Sequence, residues 1–165
     1  MKYIIIDMQG FYIQKEFEVR ELALMDCHRM YHYQCINNTP FFSLSSEEQT
    51  QVKYLQFNHH GIQYNNSNGI SQTELVNILN NYLKQNQIDR IYVKGHIKKQ
   101  FLKNIITSYV PIINLERCFS NCPKFEKGAS MCASSCLHTL SKYIYCATRN
   151  CIDLQKWIAN LLPPS

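Results

Sequence analysis

The stretch YIIIDMQGFYIQKEFEVRELALM, residues 3–25, decides how this chain folds. Its opening, Tyr3-Ile4-Ile5-Ile6, is an apolar, β-branched run of the length of a buried strand, and it ends on Asp7, where the end of a strand presents a carboxylate. Gly10 reads as the turn that follows. A second strand then covers 17–25, because strict alternation sets Phe17, Val19, Glu21, Ala23 and Met25 on one face and Glu18, Arg20, Leu22 and Leu24 on the other. Glu21 therefore lands on an apolar face. An unpaired charge there costs several kcal/mol, so Glu21 is salt-bridged to a Lys or Arg, placed at a wet edge, or bound to a metal.

Working outward, a third strand is expected at 31–36 or 52–57, with 37–48 as a loop. Ser71-Gln72-Thr73-Glu74 is a capping box, and Leu75, Ile78, Leu79, Tyr82 and Leu83 recur behind it at helical spacing. A strand at 90–94 follows. Gly95 turns it into a helix with Ile97, Phe101, Leu102, Ile105 and Ile106 on its apolar side and Lys98, Lys99 and Lys103 on the other. Residues 111–115 read as a strand and 116–130 as irregular. A last helix includes Cys146 or starts just after it, and its face runs through Asn150, Leu154 and Trp157. The order is βββαβαβα, a five-stranded mixed sheet flanked by helices in one domain spanning 1–165.

Composition narrows the setting. Hydrophobic residues make up 45% of 165 positions, enough for a core, and no apolar run approaches the roughly twenty residues of a membrane span. No secretory leader is evident, so a cytoplasmic or nuclear home is expected, where the eight cysteines stay reduced or bind metal rather than form a disulfide framework. Cys27, Cys35 and Cys151 read as buried thiols. Seventeen Lys plus Arg against twelve Asp plus Glu gives +5, which permits a nucleic-acid partner without demanding one.

Chemistry concentrates near the end. In 131–150 the chain places Cys136, His138 and Cys146 close together, the thiolate and imidazole donors that tetrahedral zinc prefers. His59 and His60 are adjacent, so on a strand they point to opposite sides and do not share a metal.

This order, with Asp7 ending strand one and Glu21 in strand two, resembles the RNase H-like fold of DnaQ-type 3′ to 5′ exonucleases, whose acidic residues bind two magnesium ions. The resemblance implies that fold and argues against that reaction. Gln9 stands where the family has a Glu, Lys98, Lys99 and Gln100 stand where an Asp is expected, and Asn150 takes the place of the last Asp. One carboxylate cannot hold two hard cations. The chain is more similar to the MAEL domain of the Maelstrom family, which has the exonuclease fold without its acidic site. That domain carries a Glu-Cys-His-Cys zinc site with Cys-x-x-His-x7-Cys near its end. His138-x7-Cys146 fits, Cys136-x-His138 is one residue short, and Glu21 matches the strand-two Glu. The resemblance implies one structural zinc on Glu21, Cys136, His138 and Cys146, with Cys122 or Cys132 as an alternative ligand. Its metal pins the irregular segment to the sheet.

Three functions follow as expectations. The first is a catalytically silent domain that binds single-stranded RNA or a protein partner in RNA silencing or genome defence, with Lys94, Lys98, Lys99 and Lys103 beside the old cleft and Asp7 as a remnant. Another is metal-independent RNA cleavage by Asp7 with His59, His60 or His96. The last is a pure interaction module.

Overall fold

A computed structural model describes residues 1–65, 67–128, 138 and 144–161. The strands are β1 (Tyr3–Ile13), β2 (Glu16–Met25), β3 (Met30–Gln34), β4 (Arg90–Val93) and β5 (Ile112–Asn114). They form one sheet in the order β3-β2-β1-β4-β5. The first three pair antiparallel, and β1-β4 and β4-β5 pair parallel. The helices are α1 (Ser46–Asn58), α2 (Gln72–Asn86), α3 (His96–Ile105), the single turn α4 (Leu115–Cys118) and α5 (Ala147–Leu161). The expected five-stranded mixed sheet flanked by helices is present, with two helices rather than one between β3 and β4. Among the described residues no helix is long and apolar enough to cross a membrane.

Three details of 3–25 differ from expectation, and one device explains two of them. β1 does not stop at Asp7 or turn at Gly10. It runs to Ile13, and the reversal falls at Gln14 and Lys15, both at positive φ (50° and 67°), a two-residue turn whose twist matches the flanking strands. Gly10 instead lies opposite a bulge. Gln9 pairs with Glu21 but Gly10 pairs with Val19, so Arg20 is an extra residue on β2. The backbones pack so closely there that a Cβ on Gly10 would sit 2.1 Å from the Glu18 carbonyl oxygen. Because each inserted residue flips the alternation, the expected single face is split at Arg20. Phe17 and Val19 pack with Leu22 and Leu24 under α2 and α3, while Ala23 and Met25 pack under α5.

The sheet separates two cores. On one side Ile4, Ile6, Met8, Leu22, Leu24 and Ile91 meet Leu75, Leu79 and Leu83 of α2 and Leu102 of α3. Half of the expected capping box starts helix α2: Ser71 Oγ accepts from Glu74 N at 3.1 Å. On the other side Ile5, Ala23 and Tyr92 meet Ala147, Cys151, Leu154 and Ile158, spaced on one face of α5. Ala147 and Cys151 are small enough for Cys151 Sγ to lie 3.5 Å from the Ala23 carbonyl oxygen. A satellite core of Phe11, Ile13, Leu44, Val52 and Tyr64 covers the β1-β2 hairpin.

The third strand is β3, and 52–57 belongs to α1. That helix buries only Val52, so its sequence carries no apolar stripe. Its start is nevertheless written in 45–48, where Ser45 and Glu48 close a reciprocal capping box. Cys35 and Cys151 are buried as expected, whereas Cys27 is exposed in the β2-β3 turn.

Candidate functional sites

Two buried carboxylates, Asp7 and Glu21, sit on neighbouring strands, Asp7 across from Ala23 and Gln9 across from Glu21. The first turn of α5 reaches both. Ala147 N donates to Glu21 Oε2 at 3.1 Å and Asn150 Nδ2 donates to Asp7 Oδ2 at 2.7 Å.

At Glu21 the ligand atoms of Glu21, His138 and Cys146 all lie within 4.8 Å of one another, a candidate metal-binding group. His138 Nε2 is 2.9 Å and Cys146 Sγ 3.8 Å from Glu21 Oε1. Tetrahedral zinc at its usual bond lengths separates such donors by roughly 3.3–3.6 Å, so the spacing suits the ion and the donor set suits its chemistry. His138 Nδ1 faces the His60 carbonyl oxygen, the outer hydrogen bond that leaves Nε2 to coordinate. Cys136 and Cys132 lie outside the described residues. Cys122 packs against the α5 core, where burial pushes its thiol up.

Sequence reasoning missed His32. It lies on β3 opposite Ala23 of β2, and its Nε2 is 3.0 Å from Glu21 Oε1. The signal was available in Met30-Tyr31-His32-Tyr33-Gln34, whose alternation puts His32 on the face away from Tyr31 and Tyr33. Among the described residues the carboxylate's neighbours thus include two imidazoles, a thiol and a helix amide.

Asp7 stands just past the point where the parallel ladder ends, at Ile5-Tyr92. Lys94 and Glu116 follow the corresponding ends of β4 and β5, so the carboxyl edge of the parallel strands opens a cleft of about 340 Å³. Gln9, His59, Lys94, Lys98, Glu116, Lys124 and Asn150 line it, with Phe125 and Tyr145. Gly95, at φ +113°, turns β4 into α3 and brings Lys98 back over the sheet. Lys98 Nζ donates to Asp7 Oδ1 at 2.5 Å, and Gln9 Nε2 is 3.5 Å from Oδ2. Burial pushes the Asp7 carboxyl above its ordinary range, against the opposing pull of Lys98 and Asn150.

The lysines expected to act together are dispersed. Lys94 and Lys98 face the cleft, and Lys103 lines a separate groove with Ile106 and Tyr109. Lys99 is half-buried on α3. Of the histidines, only His59 lines the cleft, its ring 4.5 Å from that of Tyr145. Burial, reinforced by Lys98 and Lys127, holds His59 down at about 4. His60 is buried with Nε2 3.2 Å from the Gly10 carbonyl oxygen and Nδ1 accepting from Ile62 N, so both nitrogens are engaged. His96 lies on another groove, beside Tyr12 and Phe17.

No protein-family model, curated protein or solved structure matches this chain at a significant level.

Proposed function

We propose that the chain is a catalytically silent RNase H-like domain, built like the MAEL domain, that holds one structural zinc and binds single-stranded RNA at the Asp7 cleft. The observation that carries this reading is the Asp7 environment. The carboxylate at the edge of the parallel strands is already paired with the Lys98 ammonium and hydrogen-bonded by Asn150, which leaves it poorly suited to a hard cation, while further lysines line the same opening. The strand order 3-2-1-4-5 with β1 central supports the likeness of fold. Glu21, His138 and Cys146 supply three of the zinc ligands, and Cys136 is the proposed fourth. A closed set of this kind has no position for substrate, so the metal's role is to fasten the segment before α5 to the sheet. Lys99 and Lys103 extend the proposed RNA path beyond the cleft, and a role in RNA silencing or genome defence follows from the family likeness.

Salt-dependent RNA binding tests this. Affinity for a single-stranded oligonucleotide should fall with salt, with a slope of about 0.7 per phosphate contacted, and the slope should shrink when Lys94, Lys98, Lys99 and Lys103 are replaced. Absence of binding at low salt would leave a protein-interaction module as the better reading. Metal-independent cleavage is a second reading, favoured by His59 in the cleft. RNA cleaved without magnesium by the parent protein, and left intact by a His59→Ala variant, would establish it.

A further inference from the structure

The chemistry left over around Asp7 is that of an anion site with its cation built in. Lys98 spends one of its three N–H donors on the buried carboxylate, and its side chain is 18% exposed, at the mouth of the cleft. Lys94 is nearly buried and stationed over the Phe125 ring, 4.3 Å from its centroid, with Lys98 5.7 Å away on the same ring. Lys94 also donates to the Pro123 carbonyl oxygen and lies 4.0 Å from the half-exposed Glu116 carboxylate. Lys124 completes the wall. The aromatic ring and these contacts fix two ammonium groups in place before any ligand arrives. The same cleft holds an orphan: Asn150 is 1% exposed, its amide nitrogen is committed to Asp7, and its Oδ1 has no hydrogen-bond partner among the described residues. A buried acceptor left without a donor is a standing cost to the fold at this end of the cleft.

We propose that Lys98 stands in for a divalent cation on Asp7, so that the cleft binds a phosphate group directly through Lys94, Lys98 and Lys124, with no metal ion between protein and phosphate. Asp7 is then a positioning residue that aims Lys98, and its own negative charge weakens anion binding. This deepens the nucleic-acid reading and rests on it. The phosphate belongs either to a single-stranded backbone or to a free nucleotide, and the two are separable by experiment.

The test uses the zinc-loaded full chain in buffer without magnesium, titrated with a labelled single-stranded RNA and, separately, with a nucleoside 5′-monophosphate. Both Lys94→Met and Lys98→Met should weaken binding at least tenfold. Lys84→Met, on exposed α2, should stay within twofold. Asp7→Asn keeps an acceptor oxygen to aim Lys98 and removes the negative charge, so it should tighten binding severalfold, and magnesium should add nothing. Removing one member of a buried pair risks misfolding, so the double variant Asp7→Asn/Lys98→Met is measured alongside and should bind as weakly as Lys98→Met. Mononucleotide binding with the same variant profile supports the proposal and assigns a free nucleotide, and binding of RNA alone supports it and assigns a backbone. Binding that needs magnesium and is lost in Asp7→Asn overturns it. RNA binding that depends on Lys99 or Lys103 but not on Lys98 also overturns it while leaving the nucleic-acid reading intact, whereas no binding by the parent protein overturns both.

Discussion

Asp7 and Glu21 make a controlled comparison. Both are carboxylates buried to within 1% of full enclosure, they lie on adjacent strands, and both receive a hydrogen bond from the first turn of α5. They differ in their remaining neighbours. Among the described residues, Asp7 meets an ammonium and amides, and Glu21 meets two imidazoles and a thiol. A buried charge has to be neutralised, and the neutralising group then fixes what else the site can accept. An ammonium on Asp7 satisfies the carboxylate and repels cations. Imidazole and thiol donors around Glu21 leave it open to a borderline metal such as zinc.

The largest effect should come from the softer of the two sites. Cys146→Ser or His138→Ala should abolish zinc binding and lower stability by about 3–5 kcal/mol or more, read by metal content and thermal melting. Unchanged melting with and without chelator would remove zinc from the comparison. Next comes the geometry that brings Glu21 to the α5 face. Gly10→Ala should cost about 2–4 kcal/mol, because its Cβ would overlap the Glu18 carbonyl at the bulge. A silent Gly10→Ala would mean that the bulge relaxes easily and does not set the position of Glu21.

The Asp7 site should respond to loss of its cation. Lys98→Met should cost up to about 3 kcal/mol in denaturant unfolding, and adding Asp7→Asn should restore most of it, since an apolar or neutral replacement of both partners is far less harmful than removal of one. If the double variant is no better than the single, the ion pair is not what holds this end of the sheet.

Acid should reveal the burial of His59 beside the cleft's lysines. His59 has its folded value lowered from 6.5 to about 4 by burial and then by Lys98 and Lys127. The folded state thus binds that proton less readily than the unfolded chain. This group's contribution to stability is complete above pH 6.5 and is lost as pH falls through about 4. An NMR titration should find a neutral His59 ring at pH 5.5, and a protonated ring there would mean that His59 is less buried than the structure has it. The smallest effect is expected at Cys27, exposed and outside both sites, where Cys27→Ser should change stability by less than about 0.5 kcal/mol.

Much of this was legible in the sequence, and the misreadings have physical causes. Helix α2 and the apolar faces of α3 and α5 follow from spacing because burial on one side imposes a period. His138 and Cys146 drew notice through their local spacing, but Glu21 joined them only through the resemblance, since donors separated by more than a hundred residues show no local pattern. Arg20 could not be recognised as a bulge, because an inserted residue is invisible until the partner strand is known. Fully buried, it sends its guanidinium to the carbonyl oxygens of Cys35 and Gln63, tying β2 to the segments beyond β3. Lys98 looked like one of three solvated lysines on a helix. Only the turn at Gly95 aims it at Asp7, and that direction is a tertiary fact. Helix α1 escaped because it buries one residue, although its capping box was in plain view at Ser45 and Glu48.

X-ray absorption at the zinc edge, on protein purified with zinc and magnesium both present, tests the central claim most directly. One zinc per chain is expected, with sulfur at about 2.3 Å and nitrogen or oxygen at about 2.0–2.2 Å. That signal should vanish in Cys146→Ser and remain in Asp7→Asn. Protein that carries no zinc, or whose bound metal is lost with Asp7 and kept without Cys146, would contradict it.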